Sequence, residues 1–164
     1  MNLRIMSVYH DSIVDGEGFR DVVFLNMCPH HCKGCHNPSS WDYCNGHEIS
    51  VQEAFDTLVS NPIADVTLSG GEPFLQSEAL SELCSMLRAA KKNIWIYSGY
   101  LFEDIVADPI KQRLLTLCDV LVDGPFVQSL ADKTLRFRGS SNQRIIDIKK
   151  SLKEDKVVLY DMED

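Results

Sequence analysis

The chain has 164 residues, of which 45% are apolar, and a net charge of −8 at pH 7. This length fits one domain over residues 1–164, and no run approaches the roughly 20 apolar residues of a membrane span. The acidic balance argues against a nucleic-acid partner, because such surfaces are usually basic. The first residues lack an apolar signal segment, so we expect a soluble cytoplasmic protein in which disulfides are rare.

The first predicted elements lead into a cysteine-rich loop. Residues 3–10 and 21–27 are predicted strands, separated by a turn-rich segment at 15–18. The second strand contains the continuous apolar run VVFLNM, which is typical of a buried parallel strand with a site at its carboxyl end. The loop that follows is therefore the first candidate for a functional site.

That loop, residues 28–35, reads CPHHCKGC and holds three cysteines at spacings of four and three. Each thiolate can turn towards a shared centre, and the loop is too short to form a core of its own. Ligation of a metal or an iron–sulfur cluster by Cys28, Cys32 and Cys35 is the most economical explanation. Three ligands leave one position open, and in a four-iron cluster an open iron can bind a substrate directly.

A zinc site is the alternative interpretation of the three cysteines, and the other three cysteines are expected to have no ligand role. A closed Cys3His zinc site would make the protein a binding module without chemistry, with a fourth ligand from His30, His31, His36 or His47. Cys44 lies nine residues beyond Cys35 and is expected to be a packed or partly exposed thiol. Cys84 and Cys118 are expected to be buried as small apolar residues.

Strands and helices alternate through the rest of the chain. Ser50 and Glu53 form a predicted capping box at the start of a helix that ends near residues 61–62. Further helices are predicted at 76–92, 102–117 (interrupted at 108–109), 127–132 and 142–152, and strands at 93–97, 119–122 and 134–137, with 157–160 as an edge strand or a loose tail. This order predicts an α/β fold with a mostly parallel sheet. The chain accommodates about five βαβ units of roughly 30 residues, whereas a closed eightfold barrel needs about 250 residues, so we expect an incomplete, laterally open (βα) barrel.

A second motif follows the helix that Ser50 caps. Residues 65–73 read DVTLSGGEP, an apolar strand that runs into two glycines, and the glycines let the backbone approach a ligand closely. Glu72 is held at the end of this strand. Asp123 likewise ends a predicted strand, where ligands bind in open parallel sheets.

The pair CxxxCxxC and GGE, in this order, resembles the radical S-adenosylmethionine enzymes. The resemblance implies that Cys28, Cys32 and Cys35 hold a 4Fe-4S cluster whose open iron chelates the amino and carboxylate groups of S-adenosylmethionine. It also implies that Ser69, Gly70, Gly71 and Glu72 receive the methionine amino group.

Further segments resemble, more narrowly, the anaerobic ribonucleoside-triphosphate reductase activating proteins. They are VDGEGFR at 14–20, CHNP at 35–38, IWIYSGY at 94–100, LVDGPF at 121–126 and RGSSNQ at 138–143. The resemblance implies that a 5′-deoxyadenosyl radical installs a glycyl radical near the carboxyl terminus of the reductase. The runner-up is a radical enzyme that acts on a small molecule.

The resemblance also suggests further ligand contacts. Gly34 stands where the wider superfamily often has an aromatic residue against the adenine, so His36 or the loop backbone is expected to contact the adenine instead. Ser98 and Asp123 are expected to seat the nucleoside or the methionine. Arg138, Asn142 and Gln143 are expected to complete the pocket or to face the partner.

The basic residues are concentrated near the carboxyl end of the chain. Residues 133–156 contain eight Lys or Arg against three acids. This segment is either a solvated surface helix or a docking face for an acidic electron donor such as a flavodoxin, or for the reductase itself.

A homodimer, or a heterotetramer with the reductase, is in line with the same resemblance.

Overall fold

The computed structural model describes residues 1–162 and shows an α/β fold built on one mixed sheet. Its strands are β1 (Asn2–Ser12), β2 (Arg20–Leu25), β3 (His47–Ser50), β4 (Asp65–Gly70), β5 (Ile94–Tyr97), β6 (Val120–Asp123) and β7 (Arg144–Asp147). The α-helices are α1 (Val51–Val59), α2 (Ser77–Ala89), α3 (Phe102–Val106), α4 (Pro109–Thr116) and α5 (Ile148–Glu154).

The seven strands lie in the order β3-β1-β2-β4-β5-β6-β7. The four central strands, β2, β4, β5 and β6, run parallel to one another. On one flank β1 is antiparallel to β2 and β3, and on the other flank β7 is antiparallel to β6. The sheet is therefore open, with a parallel centre as predicted and antiparallel edges.

The helices cover one face of this sheet. Leu68 and Ile96 belong to the large core cluster, which also includes buried residues from all five α-helices. Trp95 and Val122 point to the opposite face, where they form a small cluster with no helical member. The face without helices is left for loops and for the site.

Two predicted helix boundaries are confirmed in detail. The Ser50 hydroxyl accepts a hydrogen bond from the Glu53 amide at 3.0 Å and caps α1. The Asp108 carboxylate accepts from the amides of Ile110 and Lys111, with Pro109 at the first position of α4. The predicted interruption at 108–109 is this cap, which separates α3 from α4.

The structure corrects the predictions for the carboxyl-terminal region. The predicted helix at 142–152 begins only at Ile148, because the Asp147 carboxylate caps α5 by accepting from the Lys150 amide. The residues before it form β7, whose Ile145 and Ile146 pack on opposite faces of the sheet. The run at 157–160 makes one isolated bridge, between Ile146 and Leu159.

The predicted strand at 134–137 is wrong, and besides β7 one further strand was missed. Residues 134–137 form turns and bends, and Phe137 has a φ of +62° and packs its ring on Trp95. The missed strand is β3, which pairs with the start of β1. Neither outcome follows from local pattern, because both depend on which distant strand is available as a partner.

Candidate functional site

The carboxyl ends of β2, β4 and β5 open on a cavity of about 700 Å³. The loop after β2 contributes Cys28, Cys32 and Cys35 to its wall, and the end of β4 contributes Ser69, Gly70 and Gly71. Ser98 and Gly99 follow β5 on the same wall. The cysteine loop and the GGE segment, about forty residues apart in sequence, therefore meet at one site.

The six cysteines divide as their spacing predicted. Cys28, Cys32 and Cys35 are half-buried along the cavity, Cys44 is exposed, and Cys84 and Cys118 are buried in the core. Within residues 1–162, no three His, Cys, Asp or Glu side chains are grouped so that they could hold a single metal ion. The three cavity cysteines therefore share one wall without being gathered around a single metal ion.

Backbone amides already point at two of these sulfur atoms. The Asn37 amide donates to Cys35 Sγ at 3.4 Å. Burial raises the pKa of the Cys28 thiol, as does the charge of Glu72, whereas the amides of His30 and His31 lower this pKa by hydrogen bonding to the sulfur. N–H groups aimed at sulfur stabilise thiolate and are one of the protein's means of tuning an iron–sulfur cluster.

The two glycines after β4 are required by close backbone packing. Gly70 has a φ of +110°, and a Cβ there would collide with the backbone of Leu25. A Cβ on Gly71 would meet the carbonyl oxygen of Met27. The Gly71 amide donates to Leu25 O at 3.0 Å and the Glu72 amide donates to Met27 O at 2.8 Å. These contacts fix the end of β4 against the start of the cysteine loop.

Glu72 lies behind the cavity wall and not on it. Its side chain is fully buried. Oε1 accepts from the Gly99 amide at 2.8 Å and lies 2.6 Å from His30 Nε2, and Oε2 accepts from the Phe74 amide at 3.0 Å. The Ser98 hydroxyl donates to the same carboxylate at 2.9 Å. The expected contact between Glu72 and a ligand would have to replace one of these protein partners.

Asp123 is also fully buried and also absent from the cavity wall. Its carboxylate accepts from Arg144 Nη2 at 2.6 Å and from the Phe102 amide at 2.8 Å. Arg144 in addition pairs with Glu103 at 2.9 Å. These two carboxylates raise the pKa of Arg144, with the Asp123 hydrogen bond as the larger cause. Asp123 thus joins β6 to β7 and α3, away from the position in which it was expected to seat a ligand.

Of the other predicted residues, some line the cavity and some lie outside its wall. His36 lines the cavity, and its ring lies 4.9 Å from that of Phe126. Gly34 has a φ of +77° and lies against Gln128, outside the wall. Arg138 lines the cavity, and its Nη1 donates to Gln143 O at 3.0 Å.

Asn142 and Gln143 mainly hold the loop that carries Arg138. Asn142 donates to Pro125 O at 2.8 Å. The Gln143 side chain accepts from the Gly139 amide at 2.9 Å and donates to Gly124 O at 3.0 Å. The RGSSNQ segment is therefore bonded to the turn after β6, and Gln143 also reaches the cavity wall.

Several wall residues were missed from the sequence. Phe126 and Tyr97 stand within the LVDGPF and IWIYSGY segments, which were noted without a role for either ring. Trp41 also lines the cavity, with the His31 ring stacked on it at a centroid distance of 4.5 Å. Burial raises the pKa of Tyr97. Tyr97 ends β5 two residues after Trp95 and shares its face of the sheet, so strand alternation was a signal for it, whereas Trp41 and Phe126 depend on which loop folds over the sheet.

Two buried donors on this wall lack a partner. Trp41 Nε1 and Arg138 Nε are buried and make no hydrogen bond to any part of residues 1–162. A buried N–H group without an acceptor is costly. A guest rich in acceptors, such as a carboxylate or the sulfides of a cluster, would satisfy both.

A family model described as a 4Fe-4S single cluster domain matches residues 14–146. Curated relatives match over most of the chain. The anaerobic ribonucleoside-triphosphate reductase-activating protein of Pasteurella multocida is 34% identical over 155 residues, which cover 87% of this chain and 96% of that protein. The proteins of the same name from phage T4 and Escherichia coli K12 are 38% and 33% identical, covering 84% and 82% of this chain and 90% and 92% of their own lengths.

The chain belongs to the family of anaerobic ribonucleoside-triphosphate reductase-activating proteins. The range that matches the iron–sulfur domain contains the three cysteines of the cavity and the GGE segment. In the part of this family member that the structure describes, residues 1–162, no helix is long and apolar enough to cross a membrane.

The basic segment at 133–156 is not one surface. Lys133, Arg136 and Arg138 line the cavity. Lys149, Lys150 and Lys153 are exposed on helix α5. Of the two alternatives, the surface helix fits only the second half of the segment, because the charged residues of the first half line the cavity.

Proposed function

We propose that this protein activates an anaerobic ribonucleoside-triphosphate reductase by using a 4Fe-4S cluster and S-adenosylmethionine to create a glycyl radical on it. The observation that carries the proposal is the meeting of three half-buried cysteines and the GGE backbone on one cavity. The printed names of the relatives supply the partner. The iron–sulfur family model is in keeping with the cofactor.

The residues present fit such a cluster. Cys28, Cys32 and Cys35 would hold it, and among residues 1–162 the cavity wall has no fourth cysteine. One iron would therefore lack a protein thiolate. The donors Trp41 Nε1 and Arg138 Nε, which lack protein partners, would be satisfied by acceptor atoms of a cluster or ligand in the cavity. When bound, the cluster and S-adenosylmethionine supply a 5′-deoxyadenosyl radical that can take a hydrogen atom from an unactivated carbon.

The chain's own part is to bind and orient S-adenosylmethionine. Backbone groups of Ser69, Gly70 and Gly71 would receive the methionine amino group, because the two glycines leave the backbone uncovered there. His36, with Phe126 beside it, would contact the adenine. Arg138 is a candidate for the carboxylate, since its Nε lacks an acceptor.

The three predicted side chains that are engaged in protein contacts would act less directly. Ser98 touches the cavity, but its hydroxyl donates to Glu72 and accepts from the Tyr100 amide. Glu72 and Asp123 have all their described bonds to protein groups. For these residues we propose that they hold the ligand-binding segments in place.

A protein substrate suits an open sheet. Within residues 1–162 the sheet ends at β3 and β7, which do not pair with each other, so it does not close into a barrel. A reactive radical has to be shielded from water and stray hydrogens, and a loop of the reductase would complete the enclosure. A backbone glycine is a suitable target, because its α-hydrogen is accessible and the flanking amides stabilise the radical that remains.

Electron supply would come from a low-potential protein such as a flavodoxin. The exposed Lys149, Lys150 and Lys153 are candidates for its docking face, since opposite charges speed encounter. The number of chains in the active complex, a homodimer or a heterotetramer with the reductase, belongs to the same proposal.

The test is an anaerobic mixture of the reconstituted protein, the reductase, S-adenosylmethionine and dithionite. We expect a doublet EPR signal on the reductase and 5′-deoxyadenosine in comparable amount, with neither formed by a Cys28→Ala control. If 5′-deoxyadenosine forms while the reductase stays radical-free and an added metabolite is altered, the protein is a small-molecule radical enzyme instead. If no iron binds and zinc does, the binding-module interpretation holds.

A further inference from the structure

The His30 side chain is seated in a socket outside its own loop. It is only 17% exposed, although it lies in the middle of the short cysteine loop. Its Nε2 is 2.6 Å from Glu72 Oε1. Its ring meets that of Tyr100 edge to face, with centroids 4.6 Å apart. The socket thus combines a carboxylate from the end of β4 with the turn that follows β5.

Gly99 forms the floor of this socket. A Cβ built on Gly99 would lie 2.5 Å from His30 Cδ2, closer than any real contact allows. Gly99 is not among the glycines with positive φ, so its backbone could accept a side chain. The constraint on this position is the space that the His30 ring occupies.

The carboxylate of Glu72 joins three segments of the chain at once. It contacts His30 in the cysteine loop, accepts from Ser98 Oγ and the Gly99 amide after β5, and accepts from the Phe74 amide just beyond β4. All of this occurs in a fully buried position, where hydrogen bonds to a charged group are strongest.

The cysteine loop has little other polar support. Its internal backbone bond runs from the Cys35 amide to Cys32 O at 3.1 Å. His31 and His36 contact Trp41 and Phe126 through their rings. The Glu72 amide holds the residue just before the loop, Met27, and within the described residues the His30 side chain adds a hydrogen-bonded link from the middle of the loop to β4 and β5.

We propose that His30 and Glu72 form a latch that fixes the cysteine loop against the GGE segment before any cofactor binds. Both are positioning residues, and Gly99 belongs to the latch because it makes room for the ring. The latch sets the separation between the three cysteines and the backbone of Ser69 to Gly71. Its purpose rests on the proposed function, but its existence is testable in the cofactor-free chain.

The test uses tryptic cleavage after Lys33, an exposed residue within the loop. In the full-length, cofactor-free protein we expect His30→Ala and Gly99→Ala each to raise the cleavage rate at Lys33 by about tenfold, the effect of losing one hydrogen bond to a charged group. His31→Ala is the matched control, because His31 lies in the same loop outside the socket, and its rate should stay near that of the wild type. Cleavage at the exposed Lys91 reports general unfolding and should not change.

The double variant His30→Ala/Gly99→Ala decides the matter. The three atoms nearest to the added methyl all belong to the His30 ring, so once this ring is gone the double variant should be cleaved no faster than His30→Ala alone. Independent, additive effects of the two changes would overturn the latch, as would an equal effect of His31→Ala. Faster cleavage at Lys91 in the single variants would indicate general unfolding. In that case the variants Tyr100→Leu and Glu72→Gln are tested in the same assay. Cleavage at Lys33 at the wild-type rate in both of these variants would also overturn the latch.

A spectroscopic measurement separates positioning from general support. In the reconstituted and reduced protein, S-adenosylmethionine should shift the EPR signal of the cluster, and we expect His30→Ala and Gly99→Ala to reduce this shift while iron content is retained. An unchanged shift in both variants would contradict a role for the latch at the site. If the wild type shows no shift, the proposed function fails, and the cleavage experiment still decides whether the latch exists.

Discussion

Glu72 and Asp123 are the two buried carboxylates that follow parallel strands at the edge of the sheet where the site lies. The sequence predicts the same role for both, and the structure gives them different surroundings. Glu72 accepts from amide and hydroxyl donors and contacts His30 of the cysteine loop. Asp123 pairs with Arg144 and with the amide that begins α3. One carboxylate organises the site, and the other joins β6 to β7.

The difference shows what a position at a strand end predicts. It predicts that an acid will lie near the ligand edge of the sheet, but the partner that satisfies the charge decides its role. For Asp123 that partner is a cation on the antiparallel strand β7. For Glu72 it is the loop that carries the cysteines. Variants can therefore separate the two roles.

The largest expected effect is on the loop that Glu72 supports. We expect Cys28→Ala, Cys32→Ala and Cys35→Ala each to abolish binding of the cluster, because each removes a ligand from a set of three. Cys44→Ala, Cys84→Ala and Cys118→Ala should retain it. Iron content and visible absorption after anaerobic reconstitution measure this. Loss of the cluster in Cys44→Ala alone would refute the ligand assignment.

Next comes the affinity for S-adenosylmethionine. Glu72→Ala should weaken binding by roughly ten- to hundredfold, equivalent to about 1.5 to 3 kcal/mol for a hydrogen bond to a charged group. Iron content should stay normal, since Glu72 is no ligand. Asp123→Ala, assayed below its melting temperature, is the matched control and should bind nearly as the wild type does. Calorimetry on the two proteins gives the comparison, and equal weakening in both would erase the distinction.

Removing Asp123 should instead be visible as a loss of stability. Asp123→Ala leaves Arg144 and the Phe102 amide without their shared acceptor, and we expect a loss of about 2 kcal/mol, reduced from the cost for a fully buried pair because Arg144 is 31% exposed and keeps Glu103. The melting temperature should then fall by roughly 4 to 8 °C. Thermal unfolding followed by circular dichroism measures this, and a melting temperature equal to the wild type's would rule out a structural role for the pair.

The smallest expected effect concerns pH. The hydrogen bond from Arg144 lowers the pKa of Glu103 below its ordinary 4.5. Because the folded pKa is lower than the unfolded one, the stabilisation is present above pH 4.5 and is lost as the pH falls through the lowered value. The stability difference between the wild type and Glu103→Gln should therefore be largest near neutral pH and should vanish in acid. Urea titrations of both proteins at a series of pH values measure this difference in unfolding free energy. A difference that stays the same at every pH would show that the pair between Arg144 and Glu103 contributes nothing.

The sequence was sufficient for the parts of the fold that local pattern specifies. The apolar runs gave the parallel strands, Ser50 and Asp108 gave two helix starts, and the cysteine spacing gave the thiol set of the cavity. It failed where pairing is long-range. The strand β7 and the loop at 134–137 have patterns that fit more than one structure, and the neighbouring β6 decides which segment joins the sheet.

The same limit applies to the candidate site. The partners of Glu72 are 42 and 27 residues away in sequence at His30 and Gly99, and Arg144 lies 21 residues beyond Asp123. Nothing local distinguishes a carboxylate that will meet an arginine from one that will meet a histidine. Of the aromatic residues on the cavity wall, Tyr97 follows from the alternation of β5, but Trp41 and Phe126 depend on loops folding over the helix-free face, which no periodicity encodes.

Deuterium transfer from the reductase tests the central claim most directly. The reductase is prepared with glycine that carries two deuterium atoms on its α-carbon and is activated anaerobically with this protein, S-adenosylmethionine and dithionite. We predict that 5′-deoxyadenosine gains one deuterium, measured by mass spectrometry, and that the EPR doublet collapses because the remaining α-position carries deuterium. Unlabelled 5′-deoxyadenosine, formed alongside an unaltered doublet or no radical at all, would contradict abstraction of a hydrogen from a glycine of the partner.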